Sequence, residues 1–111
     1  MLKPNVLRRK QDFSALYNKG KSVGERYVVL FYRKNPCGFN RTAFLASKKV
    51  GNSVKRNRAR RLMKESYREL SEKLTPGYDL IFIARNTMLD SRCADVKKSM
   101  EAATKKARIY S

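Results

Sequence analysis

The chain has 111 residues, with 27 Lys and Arg against 9 Asp and Glu, a formal net charge of +18 and a sequence pI near 10.4. That length is one domain's worth, and so large an excess of one sign opposes folding by self-repulsion, which points to a polyanionic partner. A hydrophobic share of 41%, with six Tyr and five Phe, supports a packed core and excludes a disordered basic tail.

No apolar run approaches the length of a membrane span, and the basic N-terminus lacks the apolar stretch of a signal peptide, so a cytoplasmic location is expected. Cys37 and Cys93 lie far apart without ligand-like spacing, and free thiols in a reducing compartment are expected rather than a disulfide. The polyanion is either an anionic membrane or a nucleic acid. A membrane-surface helix needs a broad apolar face with Trp, Phe or Leu opposite its cations. Trp is absent and most aromatics fall in strand-like segments, so nucleic acid is the better reading and no membrane partner is expected.

In chain order, residues 1–10 read as a basic, extended arm containing Pro4. Asp12 opens a short helix in which Phe13, Leu16 and Tyr17 follow i, i+3, i+4 spacing, and Gly20 ends it as a C′ residue. A short extra strand is placed near Ser22. Residues 26–33 (RYVVLFYR) are β-branched and aromatic and read as a strand. Asn35-Pro36-Cys37-Gly38 is turn chemistry. Residues 41–47 form the next strand, with Thr42, Phe44 and Ala46 alternating against Ala43, Leu45 and Ser47. Gly51-Asn52 breaks it, and Asn52 or Ser53 caps a long helix over about residues 55–74. Pro76-Gly77 stops that helix. Residues 78–84 (YDLIFIA) form a nearly continuous apolar run that suits a central, buried strand. A last helix from about Ser91 sets Val96, Met100, Ala103 and Ala107 at 0, +4, +7 and +11. The expected order is αβββαβα, in a single compact α+β domain over residues 1–111.

The stretch from Lys48 to Lys64 reads KKVGNSVKRNRARRLMK, with eight Lys or Arg and no carboxylate before Glu65. On a helical wheel of about 100° per residue, Ala59, Leu62, Met63, Tyr67, Leu70 and Leu74 form one stripe that must pack on a sheet. Asn57, Arg60, Arg61 and Lys64 fall on the opposite side. Arg58 flanks the stripe and Arg56 stands at the helix start near its edge. Four hydrogen-bonding groups along two turns span roughly 10 Å, comparable with phosphate spacings on a nucleic-acid strand. Arg forks hold a phosphate bidentately, while Asn57 supplies a donor and an acceptor for sugar or base edges. Cations at a helix N-terminus oppose the macrodipole, where stability alone favours Asp or Glu. A merely solvated basic face is the bland reading; the missing acids weigh against it.

The run Lys48-Lys49-Val50-Gly51-Asn52-Ser53-Val54-Lys55-Arg56-Asn57-Arg58-Ala59-Arg60-Arg61 resembles the signature RNR motif of the bacterial ribonuclease P protein subunit. The resemblance extends over nearly the whole chain, through Asp12-Phe13, Tyr17-Asn18-Lys19-Gly20, the strand at 26–32 and the strand at 78–84 followed by Arg85. It implies a ribosomal-protein-S5-domain-2-like α+β fold with a left-handed βαβ crossover around the RNR helix, against the usual handedness. It also implies a small protein, one monomer per RNA, bound to a large catalytic RNA; together they remove the 5′ leader of precursor tRNA. Arg56, Asn57, Arg58, Arg61 and Lys64 would touch the catalytic RNA, with Lys48 and Lys49 nearby and Arg60 on the same face. The family usually has Arg where Lys64 stands, and Lys keeps the charge without the fork.

Phe13 and Tyr17 share a helical face, and Phe31 lies on a strand with Tyr27 and Val29 on its side. Such aromatics are more often core than a platform. Arg9, Lys10, Lys19 and Lys21 flank them, however, and aromatics interleaved with cations are the ingredients of a single-strand groove. The resemblance implies a central cleft for the 5′ leader, carried here by Phe13, Tyr17 and Phe31.

The chain has no His, which removes the usual general acid/base and the commonest metal ligand. Its carboxylates are scattered. Glu65, Glu69 and Glu72 lie at i, i+4, i+7 as a conceivable metal site, but a solvated face neutralising Arg61, Lys64, Arg68 and Lys73 is the better reading. No catalytic residue and no protein-held metal is expected; Mg²⁺ would be bound chiefly by the RNA. The rival readings are a ribosomal or other structural RNA-binding protein, and a stand-alone nuclease. A DNA-binding module lacks any helix-turn-helix pair or zinc spacing to support it.

Overall fold

The computed structural model describes residue 7 and residues 10–90 and 92–110. Along the chain run α1 (Lys10–Lys19), β1 (Lys21–Gly24), β2 (Val28–Lys34), β3 (Arg41–Leu45), α2 (Ser53–Leu70), β4 (Tyr78–Ala84) and α3 (Cys93–Lys106). Single 3₁₀ turns at Ser71–Lys73 and Asn86–Asp90 complete them. The four strands form one mixed sheet in the order β1-β2-β4-β3, in which β4 is antiparallel to β2 and parallel to β3. The β3–α2–β4 segment is therefore the crossover between neighbouring parallel strands. The apolar run of β4 is central, as its composition requires, with Asp79, Leu80, Ile81, Phe82 and Ala84 all buried.

Strand alternation divides the core in two. Val28, Leu30, Leu80, Phe82 and Ala84 point to one face, where α2 and α3 cover them with Ala59, Met63, Leu70, Val96, Met100 and Ala103. Ala43 and Ile81 point to the other, where α1 brings Leu16 and the arm brings Leu7. On the first face Phe44, Tyr67 and Phe82 form an aromatic triangle with centroids 5.6–5.9 Å apart, a geometry that adds to the area they bury.

Burial pushes the Tyr67 phenol from its ordinary 10.0 up to about 12, against an opposing hydrogen bond with Asn40. The folded chain keeps this proton in a range where the unfolded chain has released it. The associated stability is thus complete below about pH 10 and declines as pH rises towards 12. Tyr67→Phe is expected to remove on the order of 2 kcal/mol of alkaline destabilisation over that range, read by urea unfolding. Equal declines in the two proteins would refute it.

Several local expectations need correction. The long helix starts at Ser53 and ends at Leu70, not near residue 74. Leu74 leaves the helical stripe because it is buried through an extended bridge to Tyr110, with Thr75 N–H donating to the Ile109 carbonyl at 2.7 Å. Gly20 does not adopt the left-handed backbone of a C′ glycine. Its need is for space, since a Cβ there would lie 2.5 Å from the Leu16 carbonyl oxygen and 2.9 Å from that of Tyr32. Of the arm expected over residues 1–10, Lys10 belongs to α1 and Leu7 is buried with its N–H on the Thr42 carbonyl at 2.9 Å, and the other residues lie outside those described. Both cysteines are free.

Candidate nucleic-acid interface

The basic helix begins with a built N-terminus. Asn52 is the N-cap, its Oδ1 accepting from Lys55 N–H at 3.0 Å. Gly51 precedes it at φ +141, and a Cβ at Gly51 would meet Lys55 Cδ at 2.6 Å. Glycine is required there on both counts. The first turn holds no acid.

Ala59, Met63 and Leu70 are buried in the core, Ser66 is buried against Cys93 of α3, and Leu62 and Tyr67 are half-buried. Asn57, Arg58, Arg61 and Lys64 are exposed, as are Lys48 and Lys49 in the turn before the helix. Among the described residues, no ion pair ties Arg56, Arg60, Arg61 or Lys64 to a carboxylate. Arg60 is half-buried and its Nη2 donates to Asn57 Oδ1. The side-chain oxygen of Asn57 is thereby engaged, leaving its amide as the group offered outward.

Arg56 stands near the edge of the apolar stripe, where the wheel places it. It is half-buried, and its Nε is enclosed with no hydrogen-bond partner. An enclosed, unmet donor opposes stability, as do cations at this helix end. Both costs fall on the side chains that the RNR pattern singles out.

The Glu65, Glu69, Glu72 series also reaches beyond its own helix. Glu69 turns to Lys97 of α3, at 3.2 Å. That contact raises the Lys97 ammonium above its usual range, chiefly through the hydrogen bond to Glu69. Among the described residues no three His, Cys, Asp or Glu side chains converge as a metal centre needs.

A second surface lies on the opposite face of the sheet. The register aligns Val29 with Ile83 and Ile83 with Leu45, all three half-buried. The next row, Phe31, Ile81 and Ala43, is capped by Leu16 of α1. An apolar floor is therefore left partly open beside α1. Phe13 is half-buried at its edge, and Tyr17, 45% exposed, meets Phe31 edge-to-face at 5.1 Å. Burial raises the Tyr17 phenol above its usual range.

Lys10 and Lys19 are exposed at the two ends of α1. Arg9 lies outside the described residues. Leu45 ends β3, and the following segment carries Lys48 and Lys49 from the open end of this cleft to the start of α2. The structure thus sets the aromatic cleft and the basic helix on opposite faces of one sheet, joined by the segment at 46–52. Tyr27, by contrast, packs towards the α2/α3 core and not into the cleft.

Sequence reasoning missed what holds α1 over the floor. Arg41 of β3 donates from Nε and Nη2 to the two oxygens of buried Asp79 at 2.8 and 2.7 Å, and its Nη2 reaches Asp12 of α1 at 3.6 Å. Asn35 Nδ2 adds a 2.8 Å bond to Asp79. These partners raise the Arg41 guanidinium further, led by the Asp79 hydrogen bond. A lone Asp inside an apolar strand was the available signal, because a buried carboxylate needs a partner.

The chain is similar to known proteins along nearly its whole length. A family model described as Ribonuclease P matches residues 1–108. The ribonuclease P protein component of Clostridium botulinum (strain Langeland) is 46% identical over 110 residues, spanning 98% of this chain and 99% of that one. The corresponding component of Clostridioides difficile (strain 630) is 41% identical over 104 residues, covering 93% and 91%. Among solved structures, the Staphylococcus aureus RNase P protein superposes with a TM-score of 0.87 at 29% identity, covering 98% of this chain and 100% of that one. The Thermotoga maritima RNase P protein gives 0.82 at 25% identity, covering 90% and 94%.

Proposed function

Because the chain belongs to the ribonuclease P protein family, we propose that it binds two RNAs at once, the catalytic RNA of that ribonucleoprotein and the 5′ leader of precursor tRNA. The α2 face takes the first through Arg56, Asn57, Arg58, Arg60, Arg61 and Lys64, with Lys48 and Lys49 beside it. The cleft of Phe13, Tyr17 and Phe31, with Lys10 and Lys19 at its margins, takes the second.

One observation carries the reading: an apolar, aromatic floor is left open on a chain of net charge +18, beside a helix with no acid before Glu65. Phosphate contacts along α2 supply sequence-independent affinity for a folded RNA. Stacking in the cleft accepts any base, which suits a protein that meets many different leaders. The catalytic RNA would hold the metal and the scissile bond lies in precursor tRNA, so this chain acts by differential binding: holding the leader favours precursor over mature tRNA. One monomer per RNA, in the cytoplasm where tRNA matures, completes the proposal.

A ribosomal protein would carry the same charge but has no use for a leader cleft. Phe13→Ala and Tyr17→Ala are each expected to weaken precursor-tRNA binding by the reconstituted complex about ten-fold, and to leave mature-tRNA binding unchanged. Equal losses for both substrates would defeat the leader assignment.

A further inference from the structure

A pocket of about 310 Å³ opens where α1 meets β1, lined by Lys19, Lys21, Arg33 and Lys34 with Tyr32 and Tyr78, and with no carboxylate. Alternation from buried Leu30 and Leu80 places Tyr32, Lys34 and Tyr78 on the α2/α3 face, and Lys21 pairs with Tyr32. The pocket therefore stands apart from the Phe31 row. It lies round the end of the sheet, at the opposite strand ends from Lys48 and Lys49.

Its residue types are informative. Both tyrosine rings are half-buried and packed against the core, so they are fixed surfaces with a part left open. Lys21 and Lys34 are exposed, and Lys34 stands directly across from Tyr78 in the strand register. A fixed aromatic wall beside mobile ammonium groups is the pairing that holds a base and its phosphate. The volume lies at the lower end of small-ligand pockets. A second cavity, of about 380 Å³ between the β1–β2 turn and α3, includes Glu25 and Asp95 in its lining and is unsuited to an anion.

The placement decides which nucleotide. A strand running along the cleft passes Val29, then Phe31 and Tyr17, and leaves beyond the C-terminal end of α1. Lys19, the last residue of α1, lines the pocket itself. We infer that the pocket takes one further nucleotide of the same single strand, its base against Tyr32 and Tyr78 and its phosphate between Lys21 and Lys34. The inference rests on the reading of the cleft as the leader site and extends that site round the sheet end.

The test uses the reconstituted complex and precursor tRNAs whose leaders are lengthened one nucleotide at a time. The wild-type chain is expected to gain affinity in a further step once the leader outreaches the cleft. Lys34→Glu, on an exposed residue, is expected to lower that last gain about ten-fold. Tyr78→Leu, which keeps apolar bulk and loses the flat ring, is expected to lower it similarly. With leaders too short to reach the pocket, both variants should bind as wild type does. An undiminished last gain in Lys34→Glu overturns the inference and leaves the cleft standing. A wild-type complex indifferent to every leader length overturns both.

Discussion

Replacing Arg56 and Arg61 together by alanine is expected to weaken binding of the large RNA by about 100-fold at fixed salt, without loss of fold. The magnitude follows from two charge-assisted hydrogen bonds to phosphate, each taken at the lower end of their range, about 1.5 kcal/mol, where every 1.4 kcal/mol is ten-fold. The fold should hold because neither side chain stabilises it. Arg61 is exposed without an acidic partner among the described residues, and Arg56 carries an enclosed, unmet Nε. Both sit in the N-terminal half of α2, and Arg56 lies in its first turn, where a cation opposes the helix macrodipole. Thermal unfolding should therefore stay level or rise slightly while affinity falls. A double variant that binds within two-fold of wild type would show that these groups face something other than RNA.

The second large effect concerns stability. Asp79→Ala is expected to cost about 3 kcal/mol, the scale for removing one member of a buried, hydrogen-bonded ion pair. Asp79 keeps only 10% of its side chain exposed and Arg41 keeps 23%, so solvent screens the pair weakly. The substitution leaves the Arg41 fork and the Asn35 amide without their shared acceptor. Arg41→Ala with Asp79→Ala should cost less than the sum of the single changes, because the two act as one unit. The effect reaches function through α1: Arg41 also contacts Asp12, so loosening this network should also blunt the preference for precursor tRNA. Urea unfolding reads the first effect. A cost below about 1 kcal/mol would mean the pair is structurally idle.

The elements with their own local signals were legible in the sequence. The apolar stripe of α2, the caps around Gly51 and Asn52 and the dense run at 78–84 follow from period, capping and β-propensity, and the structure agrees with them. The 3.6-residue spacing of Val96, Met100 and Ala103 likewise placed α3, with all three buried. Features that depend on distant partners were not legible. Leu74 fits a helical stripe, yet pairing with Tyr110 draws it out of the helix. Glu69 looks like a neighbour for basic residues on its own helix, yet α3 supplies Lys97. Arg41 and Asp79 are 38 residues apart and meet only because β3 and β4 are parallel neighbours.

The candidate site divides in the same way. Exposure of Asn57, Arg61 and Lys64 follows from the wheel, whereas the Arg60–Asn57 bond and the enclosure of the Arg56 Nε are set by rotamers and by the packing of α2 on the sheet. Aromatic spacing picked out Phe13 and Tyr17. The floor of Val29, Ile83 and Leu45 needed the strand register, since no one segment contains it.

The most direct test of the central claim, that the basic N-terminal half of α2 binds folded RNA through phosphates, is the salt dependence of that binding. The logarithm of the affinity for the catalytic RNA should fall linearly with the logarithm of salt concentration. For the Arg56→Ala, Arg61→Ala chain the slope should be shallower by about two, one for each lost phosphate contact. An identical slope in the two proteins, whatever the change in affinity, would contradict the account.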